Sequence, residues 1–339
     1  VVRPVTEQRD LRAPQATPQR GDSPQRFGPY ELIRRIGAGG MAEVFLARST
    51  GAEGLEKQLV VKRILPAFAQ RQRFVSMFID EAKLAVSLNH PNIVQVYEFG
   101  KVQDDYYLAM EYVEGFDLSR LLSRLRTQNS HLALGAAIYI ALELCKGLDY
   151  AHRKADQFGQ PLGLVHRDIS PHNILISAEG VVKIVDFGIA RARTVGDEPD
   201  SVIRGKFNYM SPEQAIGGHL DQRSDLFSAG IVLYELLFNE PLFHFTGRDD
   251  ALALIKRPIL PDLSQRKPPL PGPVEAILVK ALDRVPDRRY ESARAMQLDL
   301  TRVLFSLPDI HDAQTLAQFL RDALPQRTSD GADLTSAAM

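Results

Sequence analysis

The run His166-Arg167-Asp168-Ile169-Ser170-Pro171-His172-Asn173, followed after a short apolar stretch by Asp186-Phe187-Gly188, restricts this chain more than any other feature. Asp168 is a carboxylate placed to orient and deprotonate a hydroxyl nucleophile. Asn173 and Asp186 add the hard oxygen ligands that Mg²⁺ and phosphates require. A lone His-Arg-Asp says little, but these three chemistries in one turn-rich stretch lay out a phosphoryl-transfer site.

The rest of the composition excludes competing classes. The chain has 339 residues, 45% hydrophobic and 24% charged, enough to bury a large core in one bilobal unit. Its net charge of -1 argues against nucleic acid or an anionic membrane as the main partner. Cys145, the only cysteine, allows neither an internal disulfide nor a cysteine-built zinc site, which fits a reducing cytosol and a buried structural thiol. The strongest apolar run, Gly230-Ile231-Val232-Leu233-Tyr234-Glu235-Leu236-Leu237, ends at Asn239-Glu240-Pro241 and reads as a buried helix, so no membrane segment is expected in this chain. With no apolar signal core at the start, the expected location is cytoplasmic.

Along the chain, residues 1–26 are rich in Pro, Gln and Arg and read as a disordered leader. From 27 to 112 the pattern predicts strands at 30–33, 43–47, 59–62, 93–97 and 106–110 around one long helix at 73–88. From 113 to 307 it turns helical, at 118–125, 136–152, 225–238 and 273–282. The expected class is therefore α+β, a small strand-rich lobe followed by a larger helical one. Residues 153–164 read as a surface insertion. In the tail, 308–339, Leu316, Phe319, Leu320 and Leu324 stand at helical spacing, predicting a helix that packs on its own domain, and 327–339 read as disordered.

Two further features suit a nucleotide. Gly37-Ala38-Gly39-Gly40-Met41-Ala42-Glu43-Val44 lies between two predicted strands, where missing side chains let backbone N–H groups approach phosphate oxygens. Running strand-turn-strand, it excludes a dinucleotide-binding unit, whose glycines lead into a helix. Lys62 ends an apolar strand, so its ammonium leaves a hydrophobic wall and needs an anion; Glu81 on the following helix is the natural partner.

Taken together and in this order, the motifs resemble the eukaryotic-like (Hanks-type) serine/threonine protein kinase family, over roughly 27–307, and Met210-Ser211-Pro212-Glu213-Gln214 resembles its bacterial members most. The resemblance implies a bilobal kinase fold and an ATP- and Mg²⁺-dependent transfer of phosphate to Ser or Thr of protein substrates. It implies that Gly37, Gly39 and Val44 cover the phosphates, that Val60 roofs the adenine, and that Lys62 and Glu81 hold the α- and β-phosphates. Backbone groups of Glu111 and Val113 are implied at the adenine edge, Asp117 at the ribose, Asn173 and Asp186 on the metal, and Asp168 as catalytic base. The same likeness implies a Glu213–Arg289 ion pair, an Asp225 anchor for the catalytic loop, an activation loop with Thr194 and Ser201 as phosphate acceptors, and a homodimer as a route to autophosphorylation.

Four positions named here depart from the family pattern. Ala42 replaces the third glycine of the loop, and Ser211 replaces alanine before Pro212-Glu213. Ser170 occupies the place of a lysine that contacts the transferring phosphate, while Lys206 occupies the place of its threonine partner. The expectation is that the two side chains are exchanged and the cation is supplied from the opposite side of the loop. The rival readings are a silent ATP-binding scaffold and a small-molecule phosphotransferase; intact Lys62, Glu81, Asp168, Asn173 and Asp186 weigh against the first, and the Glu213–Arg289 shelf against the second.

Overall fold

A strand buried on both faces organises the smaller lobe, and Leu59-Val60-Val61 is that strand. In the computed structural model, which describes residues 24–38, 42–65, 72–187, 207–243, 248–256, 258, 260–266 and 269–323, this run is the middle of β4 (Glu56–Ile64). Period-2 alternation sends Leu59 and Val61 into one apolar cluster and Val60 and Ile64 into another. Lys62 therefore shares the Val60 face, toward the second lobe.

Around β4 the described residues form an antiparallel sheet of β1 (Gln25–Phe27), β2 (Tyr30–Ala38), β3 (Ala42–Thr50), β5 (Val96–Val102) and β6 (Asp105–Glu111), ordered β1-β2-β3-β4-β6-β5. Helix α1 (Gln72–Ser87) closes one face through Phe78 and Ala82. Two expectations shift. Gln25 and Arg26, assigned to the leader, pair with Leu32 and Glu31. The strand expected at 93–97 begins at Val96, because Asn92, Ile93 and Val94 are stitched instead to the other lobe: Ile93 forms a parallel bridge with Ile184, and Val94 N donates to the Ile184 carbonyl at 2.9 Å.

Beyond the connection at 112–114 the chain forms β7 (Gly115–Asp117), α2 (Leu118–Thr127) and α3 (Leu134–His152), then β8 (Ile174–Ser177) and β9 (Val182–Ile184). The three short strands make a small antiparallel sheet, β7-β8-β9. There follow α4 (Pro212–Ala215), α5 (Gln222–Phe238), α6 (Arg248–Lys256), α7 (Gly272–Ala281), α8 (Ala293–Ser306) and α9 (Ala313–Ala323). Helix α5 is apolar nearly all round because it is buried on every side, with α3 and α7 against it, as the run at 230–237 predicts. No pattern named above anticipated α6 or α8.

The insertion at 153–164 is a tight hairpin. Ala155 bridges Pro161, Asp156 accepts from the N–H groups of Phe158 and Gln160 at 2.8 and 2.9 Å, and Phe158 is left exposed at its tip. The tail helix α9 buries Leu316 and Leu320 in the core of the helical lobe, with Phe319 against its edge, as its spacing predicts. The leader before residue 24, Gly39, Thr194, Ser201, Lys206, Leu324 and the segment 327–339 lie outside the described residues.

Candidate active site

Between the lobes lies a narrow cleft. The strand-rich lobe lines it with Val44, Val60, Lys62, Val94 and Met110, and the helical lobe with Leu175, Val185 and Asp186. Glu111, Tyr112 and Val113 close its back edge. The slot is apolar with charge at one end, which suits a flat ring attached to phosphates.

At the charged end, Lys62 Nζ donates to Asp186 Oδ1 at 2.8 Å, across 124 residues of sequence. Asn173 Nδ2 donates to Asp168 Oδ2 at 2.7 Å and to the Asp168 carbonyl at 2.8 Å. These bonds use the amide nitrogen of Asn173, whose remaining polar atom, Oδ1, is an acceptor. Asn173 caps the start of β8, and Asp186 stands two residues beyond the end of β9, so one hairpin carries both oxygens. Arg167 and Asp186 have φ of 67° and 53°, left-handed values that non-glycine residues hold only where their surroundings impose them.

What imposes them is a set of buried anchors. Asp225 on α5 accepts from His166 N at 2.7 Å and Arg167 N at 2.8 Å, and its Oδ2 also lies 2.8 Å from His152 Nε2 on α3. Burial would raise the Asp225 pKa, but the His152 hydrogen bond and the surrounding donors hold it below the usual carboxylate value. Asp168 N donates to His166 Nδ1 at 3.2 Å and the Val185 carbonyl accepts at 3.0 Å from Nε2, which assigns the ring proton to Nε2. Phe187 packs on that ring, centroids 4.7 Å apart.

The segment after the activation loop is held by a fully buried bidentate pair. Arg289 Nη1 and Nη2 donate to Glu213 Oε1 and Oε2, each at 2.8 Å, and Ser224 Oγ donates to Oε1 at 2.6 Å. Burial pushes the Glu213 carboxyl up, yet Arg289 and Ser224 outweigh it and hold the pKa below its ordinary 4.5. Ser211, the residue in the place of alanine, caps α4: Gln214 N donates to its Oγ at 3.4 Å, and its own N–H donates to Gln214 Oε1 at 2.9 Å. Gln214 Nε2 in turn donates to the Arg167 carbonyl at 2.9 Å, tying this segment to the catalytic loop.

Of the residues expected at the site, Val44, Val60, Lys62, Glu111, Val113 and Asp186 line the cleft, and Asp168 and Asn173 are hydrogen-bonded to each other. Gly37 pairs with Val44 at the end of β2, beside a bulge in the β2-β3 pairing. Glu81 lies on α1, its side chain outside the described set. Asp117, expected at the ribose, is the N-cap of α2: its Oδ1 accepts from Arg120 N at 2.8 Å. Ser170 is buried and precedes the single turn at Pro171–Asn173, its carbonyl accepting from Asn173 N at 3.0 Å. Val94, Leu175 and Val185 were not foreseen, because in sequence an apolar cleft wall looks like core. Glu111 carries more than a backbone contact: its carboxylate pairs with Lys183 on β9 at 2.9 Å and accepts from Gln95 N at 3.1 Å.

Comparison with known proteins agrees with this geometry. A family model described as protein kinase domain matches residues 30–300. The tyrosine-protein kinase MasK of Myxococcus xanthus is 40% identical over 301 residues, covering 88% of this chain and 46% of that protein. The serine/threonine-protein kinase PrkC of Bacillus subtilis is 38% identical over 277 residues, covering 80% of this chain and 40% of its own length. The chain thus spans less than half of either relative. Among solved structures, the kinase domain of Mycobacterium tuberculosis PknI superposes with a TM-score of 0.63 at 25% identity, over 84% of this chain and 99% of that one.

Proposed function

The chain belongs to the protein kinase family, and from that premise we propose that it transfers the γ-phosphoryl group of ATP to serine or threonine hydroxyls of protein substrates. The observation that carries the reading is the Lys62–Asp186 bond at the charged end of an apolar interlobe cleft, with Asn173 bonded to Asp168 and its carbonyl accepting from the N–H of Val185, next to Asp186. The adenine lies between Val44 and Val60 on one side and Leu175 on the other, its edge against backbone groups of Glu111 and Val113. Lys62 and Glu81 hold the α- and β-phosphates, which Gly37 and Gly39 cover, as the family pattern has it. Asp117 stays with the α2 cap.

Asp168 accepts the proton of the substrate hydroxyl as its oxygen bonds to the γ-phosphorus, and the bond from that phosphorus to the bridging oxygen of ADP breaks. Asn173 Oδ1 and the Asp186 carboxylate would hold Mg²⁺, being hard oxygen donors of the kind it accepts. A bound Mg²⁺ would supply neutralisation of charge on the transferring group. Ser170 and Lys206 supply hydroxyl and ammonium in exchanged places. Among the described residues no helix is long and apolar enough to cross a membrane. A cytoplasmic setting suits the ATP requirement and the single, buried Cys145.

Incubation of the purified chain with γ-labelled ATP, Mg²⁺ and a protein acceptor tests this. Label should appear with the wild type and fall by about 10²-fold or more with Asp168→Asn. Phosphoamino-acid analysis should give phosphoserine or phosphothreonine. Phosphotyrosine alone would favour the specificity in the name of MasK instead. A folded, nucleotide-binding chain that labels nothing would leave the silent scaffold.

A further inference from the structure

The hairpin that carries Asn173, Leu175 and Asp186 is touched from behind by the tail. Its turn contains Gly180, at φ +81°, and a Cβ there would stand 2.0 Å from the carbonyl oxygen of Ala313 and 3.0 Å from Ala317 N. The first turn of α9 thus rests on the β8–β9 turn, backbone against backbone, a contact only glycine permits. Leu316 and Leu320 enter the same apolar cluster as Ile174, Ile176, Val182 and Ile184 of the two strands. The helix is fixed at both ends. Before it, the His311 ring fills the space a Cβ on Gly135 would need, 1.9 Å away; at its end, the Ala323 carbonyl accepts from Gln128 Nε2 at 3.3 Å. Asp312 and Thr315 close its N-terminus reciprocally, at 2.8 and 2.9 Å. Helix α9 lies wholly beyond residue 300, where the match to the family model ends.

We propose that α9 is a strut that positions the β8–β9 hairpin for nucleotide, with Gly180, Leu316 and Leu320 as its positioning residues. The inference rests on the nucleotide reading above. A packed helix restricts how far the turn can swing, and the turn sets the spacing between the strand that carries Leu175 and the strand that leads to Asp186. Docking of α9 and binding of ATP must then favour each other by the same factor, since linkage is reciprocal.

Hydrogen exchange on the full chain measures this without any substitution. Calorimetry first establishes binding of ATP with Mg²⁺; saturation should then slow exchange of the 313–323 amides several-fold, along with those of 174–184. Gly180→Ala, which forces the turn off the helix, should speed exchange in 313–323. It should raise the ATP Kd and KM by roughly fivefold or more, within the usual range of coupling between sites, while kcat at saturating ATP stays near the wild-type value. General destabilisation would lower the active fraction, and so kcat, instead. Binding with unchanged exchange in 313–323 overturns the strut alone, as does a Gly180→Ala chain with a freed helix and an unaltered Kd. Absence of any ATP binding overturns the nucleotide reading and the strut with it. Should Gly180→Ala fail to fold, the wild-type exchange comparison decides.

Discussion

Single side chains at the site should fail in distinguishable ways. Asp168→Asn keeps an oxygen for the Asn173 amide, so the loop stays in place; kcat should fall by about 10²–10⁴-fold with the ATP Kd unchanged, read from steady-state rates and calorimetry. Glu213→Ala strands the Arg289 guanidinium in a dry site and should cost about 3–5 kcal/mol in urea unfolding. The pH dependence has a definite sign. Glu213 is held below 4.5 when folded, so its stabilisation is complete above that pH and is lost as pH falls through the lower folded value; the Glu213→Gln chain should lose less stability over that acid range. Cys145, pushed up to about 12 by burial, should resist iodoacetamide at pH 8 in the native chain and react once unfolded. Asp168, Asn173, Asp186 and Lys62 were legible in the sequence because their chemistry is in the side chain. Leu175, Val185 and Val94 were not, because nothing in an apolar residue distinguishes a wall that faces a ligand from one that faces core.

Elements were legible where periodicity sufficed and illegible where partners decide. The helix expected at 73–88 is found at Gln72–Ser87, and the apolar run at 230–237 lies inside Gln222–Phe238. Ile93, Val94 and Val96 read as one strand, yet the first two pair with β9 in the opposite lobe; alternation shows which way side chains face, not which backbone lies alongside. Asp117 tests the same limit. As the N-cap of α2 its replacement by alanine should lower stability by about 1 kcal/mol and leave KM for ATP unchanged; a raised KM at unaltered stability would return it to the ribose.

For the whole molecule, the apolar cluster beneath the cleft is shared. Val44, Val60, Val94 and Met110 pack in one group with Leu175 and Val185 from the helical lobe. The lobes should therefore melt together, and ATP with Mg²⁺ at about 100 times its Kd should add about 2.7 kcal/mol to a single unfolding transition. Two transitions, only one of them moved by nucleotide, would show lobes that unfold independently. The sequence conveyed the bilobal plan through the order of its motifs, but not this continuity, which depends on distances between residues far apart in the chain.

Asp225 has a last consequence. The backbone just ahead of Asp168 hangs from a carboxylate on α5, a helix enclosed on every side, rather than from the exposed hairpin that precedes it in sequence. The base thereby takes its position from a helix that is buried along almost its whole length. The exposed hairpin with Phe158 at its tip lies upstream, and this anchor does not run through it.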